Sequence, residues 1–412
     1  MAFLHGIEHI DLPADFAPVN DIVTAVIGLI GIHDGTLDTD EVTPLFPVTE
    51  NQLYLCTSEM DDAQFGKEGT IPEALKAIRS QASKRGSALV FVISVGTHLD
   101  TITPAQIVGD VSVTDVRTGL QLFAVAKGQY GFEPMIFIAP HFSALAAVTT
   151  ALQQIAAKNE AMSYIDSPDG YTFAQAMASR GIAGDFVNLD EGQMLYFPHF
   201  LVPNPAYVDE ETTPTEEKNL VQPMSAFMAG LRAKVDLEEG WHVSSSNHRV
   251  YGVVGMDVAL TFAMGDPNSQ VNLLNGQGVT TAVTIPGRGT VEWGNYSTGF
   301  PGNTALEAFE CVRRTRAIMK RAIEAAVIQF IDKPFNQANV DMIRNTVNQY
   351  LNGLMAQNKL IYGKCFYRPE SNPLGELALG HLTFDIEFTP SIPMQRLTFT
   401  YKIDLEQLKS IA

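Results

Sequence analysis

The chain has 412 residues, 46% of them hydrophobic and 18% charged, and a formal net charge of −19 at neutral pH. That length exceeds the ~250–300 residues one hydrophobic core usually serves, and the balance of apolar and charged residues excludes a disordered chain. The acidic excess excludes nucleic-acid binding by the bulk surface, which needs clustered Lys and Arg, and no apolar run reaches the ~20 residues that span a bilayer. Cys56, Cys311 and Cys365 are too widely spaced to suggest a disulfide framework or a zinc site. The first residues, with His5, Glu8 and Asp11, lack the basic and apolar regions of a signal peptide, so folding in a reducing cytosol is expected.

Residues 1–20 contain a short β-like piece, Ile7 to Leu12, closed by Pro13, with little apolar material for a private core. Ile22 to Ile32 is a β-branched apolar run with Gly28 and Gly31 inside it, the pattern of a buried strand. From there to Phe200, strand and helix patterns alternate. Ala88–Val95, Met135–Ala139, Ser163–Ile165 and Met194–Phe197 predict short strands, and Ile71–Lys84 and Ser143–Lys158 predict helices. Alternation of this kind predicts an α/β layer with mainly parallel pairing. Two acid-rich stretches, around Asp34, Asp38 and Asp40 and around Asp209, Glu210 and Glu211, are expected to be solvated loops.

Pro223 to Leu237 predicts a helix stopped by Gly240, and beyond Val250 the pattern becomes β-rich. Two long helices follow. Leu306–Ile331 ends before Pro334, which cannot continue a helix. The next begins at a plausible N-cap, Asn336, and carries Val340, Ile343, Val347, Leu351 and Leu354 on one face. Leu382, Phe384, Ile386 and Phe388 alternate with polar residues as in a half-buried strand. Pro390 and Pro393 interrupt the chain, and Leu397, Phe399, Tyr401 and Ile403 alternate again, which predicts a second strand.

The first long helix concentrates positive charge. Arg313, Arg316 and Lys320 share a face, Arg314 and Arg321 flank it, and Phe309, Val312, Met319, Ile323, Val327 and Phe330 form a separate apolar stripe. Glu310 and Glu324 could balance these cations as a merely solvated face. Catalytic chemistry finds no support: there is no phosphate loop, no dinucleotide fingerprint after a strand and no nucleophile elbow. Gly28 and Gly31 are expected to be core glycines. The nine histidines show no metal-ligand spacing and are expected at surfaces or interfaces, and Trp241 and Trp293 are expected to be buried anchors. No catalytic residue, cofactor or metal is expected.

One stretch carries more information than these elements do singly. It contains Pro223, Ala229-Gly230, Lys234 and Asp236, then Glu239-Gly240-Trp241-His242 and Ser246-Asn247. After these come Leu273-Leu274-Asn275, Gly278-Val279 and Trp293-Gly294-Asn295, before the basic helix and the C-terminal β segment. In this order and spacing the chain resembles the contractile tail sheath family, which includes sheaths of contractile-tailed phages, R-type pyocins and, more distantly, type VI secretion. Gly240, Trp241, Asn247, Asn275, Gly278, Trp293, Gly294 and Asn295 are the positions that carry the resemblance.

The resemblance implies a non-enzymatic protomer of α/β plus α+β class. An outer α/β domain over 21–250 would sit beside an inner β-rich domain over 251–393, which contains a tube-attachment helix at 305–331. Arms at 1–20 and 394–412 would be exchanged between subunits through Ile7, Ile10, Leu12, Leu397, Phe399, Tyr401 and Ile403. Arg313, Arg314, Arg316, Lys320 and Arg321 would grip the inner tube. The implied partners are further copies of the chain in helically stacked hexameric rings, the inner tube protein, and baseplate and tail terminator proteins, with neither nucleic acid nor membrane. The implied place is a virion tail assembled in the host cytoplasm. A sheath of a non-viral injection particle is the alternative within the family, and an α/β enzyme or ligand-binding protein is the alternative outside it.

Overall fold

The computed structural model describes residues 23–34, 48–208 and 217–406. Ile7, Ile10 and Leu12 of the expected N-terminal arm, and most of both acid-rich stretches, lie outside the described residues. The strands, in chain order, are β1 Val26–Gly31, β2 Leu53–Cys56, β3 Leu89–Ser94, β4 Ile136–Ile138, β5 Met162–Asp166, β6 Gln193–Tyr196 and β7 Phe200–Pro203. They continue with β8 Asn219–Gln222, β9 Gly255–Met256, β10 Val279–Ile285, β11 Gly289–Trp293, β12 Leu360–Phe366 and β13 Asp385–Pro390. The principal helices are α1 Thr70–Ser80, α2 Ala146–Lys158, α3 Met224–Glu238, α4 Gln270–Asn275, α5 Glu310–Val327 and α6 Gln337–Ala356.

Eight strands form one sheet in the order β11-β10-β6-β5-β4-β1-β3-β2. The six inner strands run parallel, and an antiparallel strand closes each edge. Strands covered on both faces read as continuous apolar runs, and β1 is buried along its whole length. Its alternate side chains feed opposite cores: Ile27 and Leu29 pack with α1 and α3, while Val26 and Ile30 pack with α2. At Gly28 the space of a side chain is already filled, since a Cβ would lie 2.9 Å from Phe137 and 3.1 Å from Phe123. At Gly31 a Cβ would meet the Thr70 hydroxyl at 2.3 Å, so both glycines serve packing. Gly230 allows α3 to lie directly on α1, where a Cβ would come within 2.8 Å of the Ile78 backbone.

A second core lies C-terminal to the sheet. Ile318, Met319 and Ala322 of α5 pack with Val347, Tyr350, Leu351 and Leu354 of α6 and with Leu360 and Cys365 of β12. Phe384 and Phe388 cover it from the β13 side, and Met135 and Trp241 plug it into the rest of the molecule. The expected N-cap is present: the Asn336 side chain accepts from the Asn339 N–H at 2.8 Å.

Three expectations need correction. The proposed division near residue 250 cuts through the sheet, because β10 pairs in parallel with β6 and β11 adds beyond it. The first long helix is shorter than 306–331: α5 is flanked by single tight turns at Leu306–Ala308 and Ile328–Phe330. The strand expected over Leu397–Ile403 does not form. β12 and β13 make a two-stranded sheet, and residues 391–404 join no ladder. A strand requires a partner edge, and none of the described residues presents one to this segment.

Candidate functional site

The residues that carry the sheath resemblance converge on the β10–β11 hairpin and on the entry to α5. Gly294 has φ 143°, and a Cβ there would fall 2.5 Å from the Asn275 side-chain oxygen and 3.0 Å from Thr280 Cα. Gly278, at φ 69°, lies so close to the 297–300 turn that a Cβ would approach the Phe300 carbonyl to 2.6 Å. The Asn247 N–H donates to the Glu292 carbonyl at 2.7 Å, and its side-chain oxygen accepts from Arg288 at 2.8 Å. The Asn295 carbonyl receives the Glu310 N–H at 3.1 Å, which starts α5. Tyr296 stacks between Phe300 and Phe309, at 4.1 and 4.5 Å between ring centres. Trp293 meets Phe262 edge-on and is half-buried.

Gly240 and Trp241 stand apart from that group, at the seam with the second core. Trp241 is buried there, and Lys359 lies over its ring at 5.1 Å. The expected anchoring role of Trp241 therefore holds, and the motif as a whole positions α5 between the sheet and the second core.

The structure divides the expected five-cation arc. Arg313, Arg316 and Lys320 face outward, and each has an acid of the same chain beside it. Arg313 lies 3.6 Å from Glu191, Arg316 donates to Glu307 at 2.6 Å, and Lys320 donates to Glu160. Arg316 and Lys320 keep 47% and 43% of their side-chain surface exposed. Arg314 is buried and bonded to Asp236, so it cannot grip an external partner. Arg321 is nearly as enclosed, donating to the Asn159 carbonyl and lying 3.5 Å from Glu133, and burial holds its guanidinium below the usual arginine range. Glu310, expected to help balance a solvated face, instead points inward: it accepts from the Tyr164 hydroxyl and lies 3.9 Å from Arg232.

Sequence reasoning missed this interior charge cluster of Arg232, Asp236, Glu292, Glu310 and Arg314. A signal existed, because Arg232 and Asp236 stand four apart in a helix whose residues from Met224 to Ala233 are all buried. The histidines also need correction. His33 and His199 are buried, the former with its ring 2.6 Å from the Ser94 hydroxyl, whereas His248 pairs with Glu239 nearer the surface at 2.8 Å. Among the described residues no group of three His, Cys, Asp or Glu could hold a metal ion, and no helix is long and apolar enough to cross a membrane.

The expected C-terminal arm lies open. Leu397, Phe399, Tyr401 and Ile403 are 67–91% exposed. Gln395 ties the root of this segment to the α5 entry, donating to the Asn295 side chain at 3.1 Å and accepting from the Tyr296 hydroxyl at 3.0 Å.

Comparison with known proteins places this arrangement. Residues 115–298 match the family model of the phage tail sheath protein central domain. The chain is 30% identical to the tail sheath protein of Burkholderia phage BcepMu, over 99% of this chain and 98% of that one. It belongs to the contractile tail sheath family, whose members are structural proteins rather than enzymes, and it is a component of a phage tail or contractile particle. It is also 31% identical to the major tail sheath protein of Serratia phage KSP20, over 96% of this chain and 94% of that one. Its fold matches the helical sheath of the anti-feeding prophage in the contracted state, with TM-score 0.68 and 18% identity over 98% of this chain and all of that one. The enzyme alternative is set aside on this membership.

Proposed function

We propose that the protein is the protomer of a sheath that stacks as helical hexameric rings around a rigid inner tube and contracts to drive that tube through a target envelope. The observation that carries this reading is the C-terminal segment. It has a strand's alternation, its apolar side chains from Leu397 to Ile403 are exposed, and it joins no ladder among the described residues. Main-chain pairing with a neighbour's sheet would cover it and would survive large rigid-body motion of the two globular bodies. Among the described residues the β12–β13 sheet has two strands, and it is a natural receiver. Residues 1–20 would form the other arm.

In this reading the α/β unit faces outward and the second core faces the tube. Arg313, Arg316 and Lys320 form the tube contact, with Arg314 and Arg321 holding the helix in place from within. Exposed ion pairs contribute only ~0–1 kcal/mol each, which suits a surface that must let go during contraction. The inner tube, baseplate and terminator proteins would be the partners, with assembly in the host cytoplasm before release. The phage relatives favour a virion tail over a non-viral particle. Electron microscopy of the purified chain tests the central claim: tubes or stacked rings are expected, and a monodisperse monomer at high concentration across salt and pH would overturn it.

A further inference from the structure

Five ionisable side chains meet inside the protein where the sheet, α3 and α5 join. Arg232 and Asp236 come from α3, Glu310 and Arg314 from α5, and Glu292 from β11. The first four have side chains no more than 3% exposed, and Glu292 is 1% exposed. Pairing accounts for four of them. Asp236 takes Arg232 at 2.8 Å and also Arg314, and Glu310 lies 3.9 Å from Arg232 while accepting from Tyr164 and, at 3.5 Å, from Ser245. Two guanidinium groups therefore stand against three carboxyl groups, and Glu292 is the one left over. One of its oxygens, Oε2, is enclosed without a hydrogen-bond partner among the described residues.

A carboxylate without a cation of its own is expensive in such a place, and taking up a proton is the cheaper course. We propose that this cluster is a proton-linked seat for α5: the folded protein carries one proton on Glu292, which leaves two guanidiniums balanced by two carboxylates, and loss of that proton loosens α5 from the sheet. Burial, followed by the neighbouring Glu310, pushes the Glu292 carboxyl up to about 8, against weaker help from Ser245, Arg232 and Tyr196. Tyr164, Tyr196 and Cys311, which also surround it, stay neutral near neutral pH, and Arg232 stays charged. Burial and then Glu310 raise the Tyr164 hydroxyl well above its ordinary range, and burial and then Tyr164 do the same for Tyr196. Burial raises the Cys311 thiol to about 12. Burial alone would lower Arg232, but Asp236 and Glu310 outweigh it and keep the guanidinium charged.

The sign follows from the direction of the Glu292 shift. Between the ordinary glutamate value of 4.5 and about 8, the folded state holds a proton that the unfolded state has released. Stability from this group is therefore full below that window, falls as pH rises through it, and is gone once the pH passes the folded value. The test compares the full wild-type chain with Glu292→Gln, by denaturant unfolding and by hydrogen exchange of the α5 amides from pH 5.5 to 9. The ratio of wild-type to variant unfolding constants is expected to rise about tenfold per pH unit up to about pH 8 and then level off. Excess exchange in α5 should follow the wild type alone, and a ratio constant with pH overturns the proposal. Should Glu292→Gln fail to fold, Glu310→Gln is the second arm: with the neighbouring carboxylate gone, the midpoint of α5 opening should move to lower pH, and an unmoved midpoint overturns the assignment of the proton to Glu292.

Discussion

Residues 382–388 and 397–403 carry nearly the same alternation of apolar and polar side chains and meet different fates. In the first, Phe384 and Phe388 turn onto the second core, and β13 lies antiparallel to β12 from Phe366 back to Leu360. In the second, Phe399 is 73% and Tyr401 is 91% exposed, and no ladder forms. Period-two patterning specifies the two faces of a strand, but the partner edge must come from elsewhere. Where the chain supplies that edge, the pattern becomes part of a core. Where the described residues supply none, the pattern stays unpaired, and the proposed strand exchange would give it an edge on the next subunit.

The largest test of this contrast removes the second segment. Deleting residues 395–412 should leave the globular part folded, with a melting temperature within about 2 °C of wild type because its described residues, 395–406, are exposed. Ordered polymers should vanish from electron micrographs, and normal tubes from the truncated chain would sink strand exchange by this arm. A second test compares single aromatic rings. Phe91 lies fully buried in β3, so Phe91→Ala should lower unfolding free energy by about 3–5 kcal/mol. Phe399→Ala should change the unassembled protein by no more than about 0.5 kcal/mol, read from denaturant midpoints at constant slope.

How much of this was legible follows from the range of each signal. The inner strands β1, β3, β4, β5 and β6 were visible because strands buried on both faces need unbroken apolar runs, and the intervening helices implied parallel pairing. The edge pair β10–β11 was assigned to another domain. It joins the sheet beside β6 after more than eighty intervening residues, and nothing local in Val279–Ile285 names its neighbour. The helix cations were half legible. Arg313, Arg316 and Lys320 do share the outer face, but Arg314 and Arg321 lie on the same helical stripe as Ile318, which is fully buried. That spacing of four and three was readable in advance and would have turned both arginines inward. The partner of Arg314, Asp236 on α3, was beyond reach of any local pattern.

Buried and exposed cations on α5 supply the next comparison. Arg314→Ala would leave Asp236 with Arg232 alone in an enclosed site, and breaking one member of a buried charge group costs about 3–5 kcal/mol. Arg316→Ala, two residues along the same helix, removes a pair with both partners well exposed and should cost about 1 kcal/mol or less. Denaturant unfolding of the two variants side by side decides it. Equal losses would mean that the division of α5 into a structural and a surface-exposed face is wrong.

The last comparison reverses Arg313, Arg316 and Lys320 to Glu together. Arg316 and Lys320 are well exposed and Arg313 is half-buried, so folding and sheath–sheath assembly should survive, at a cost of about 1 kcal/mol or less per site. Each cation already has its own acid, Glu191, Glu307 or Glu160, so a tube subunit must compete with these pairs, and its hold on any single one is weak. The combined contact should nonetheless be electrostatic, and pelleting with purified inner tube should fall as salt rises, because screening shortens to ~3 Å at 1 M. The triple variant should bind little tube at low salt and show no further salt dependence. If it pellets with tube as wild type does, the three cations serve only their own glutamates, and the proposed tube contact lies elsewhere on the protein.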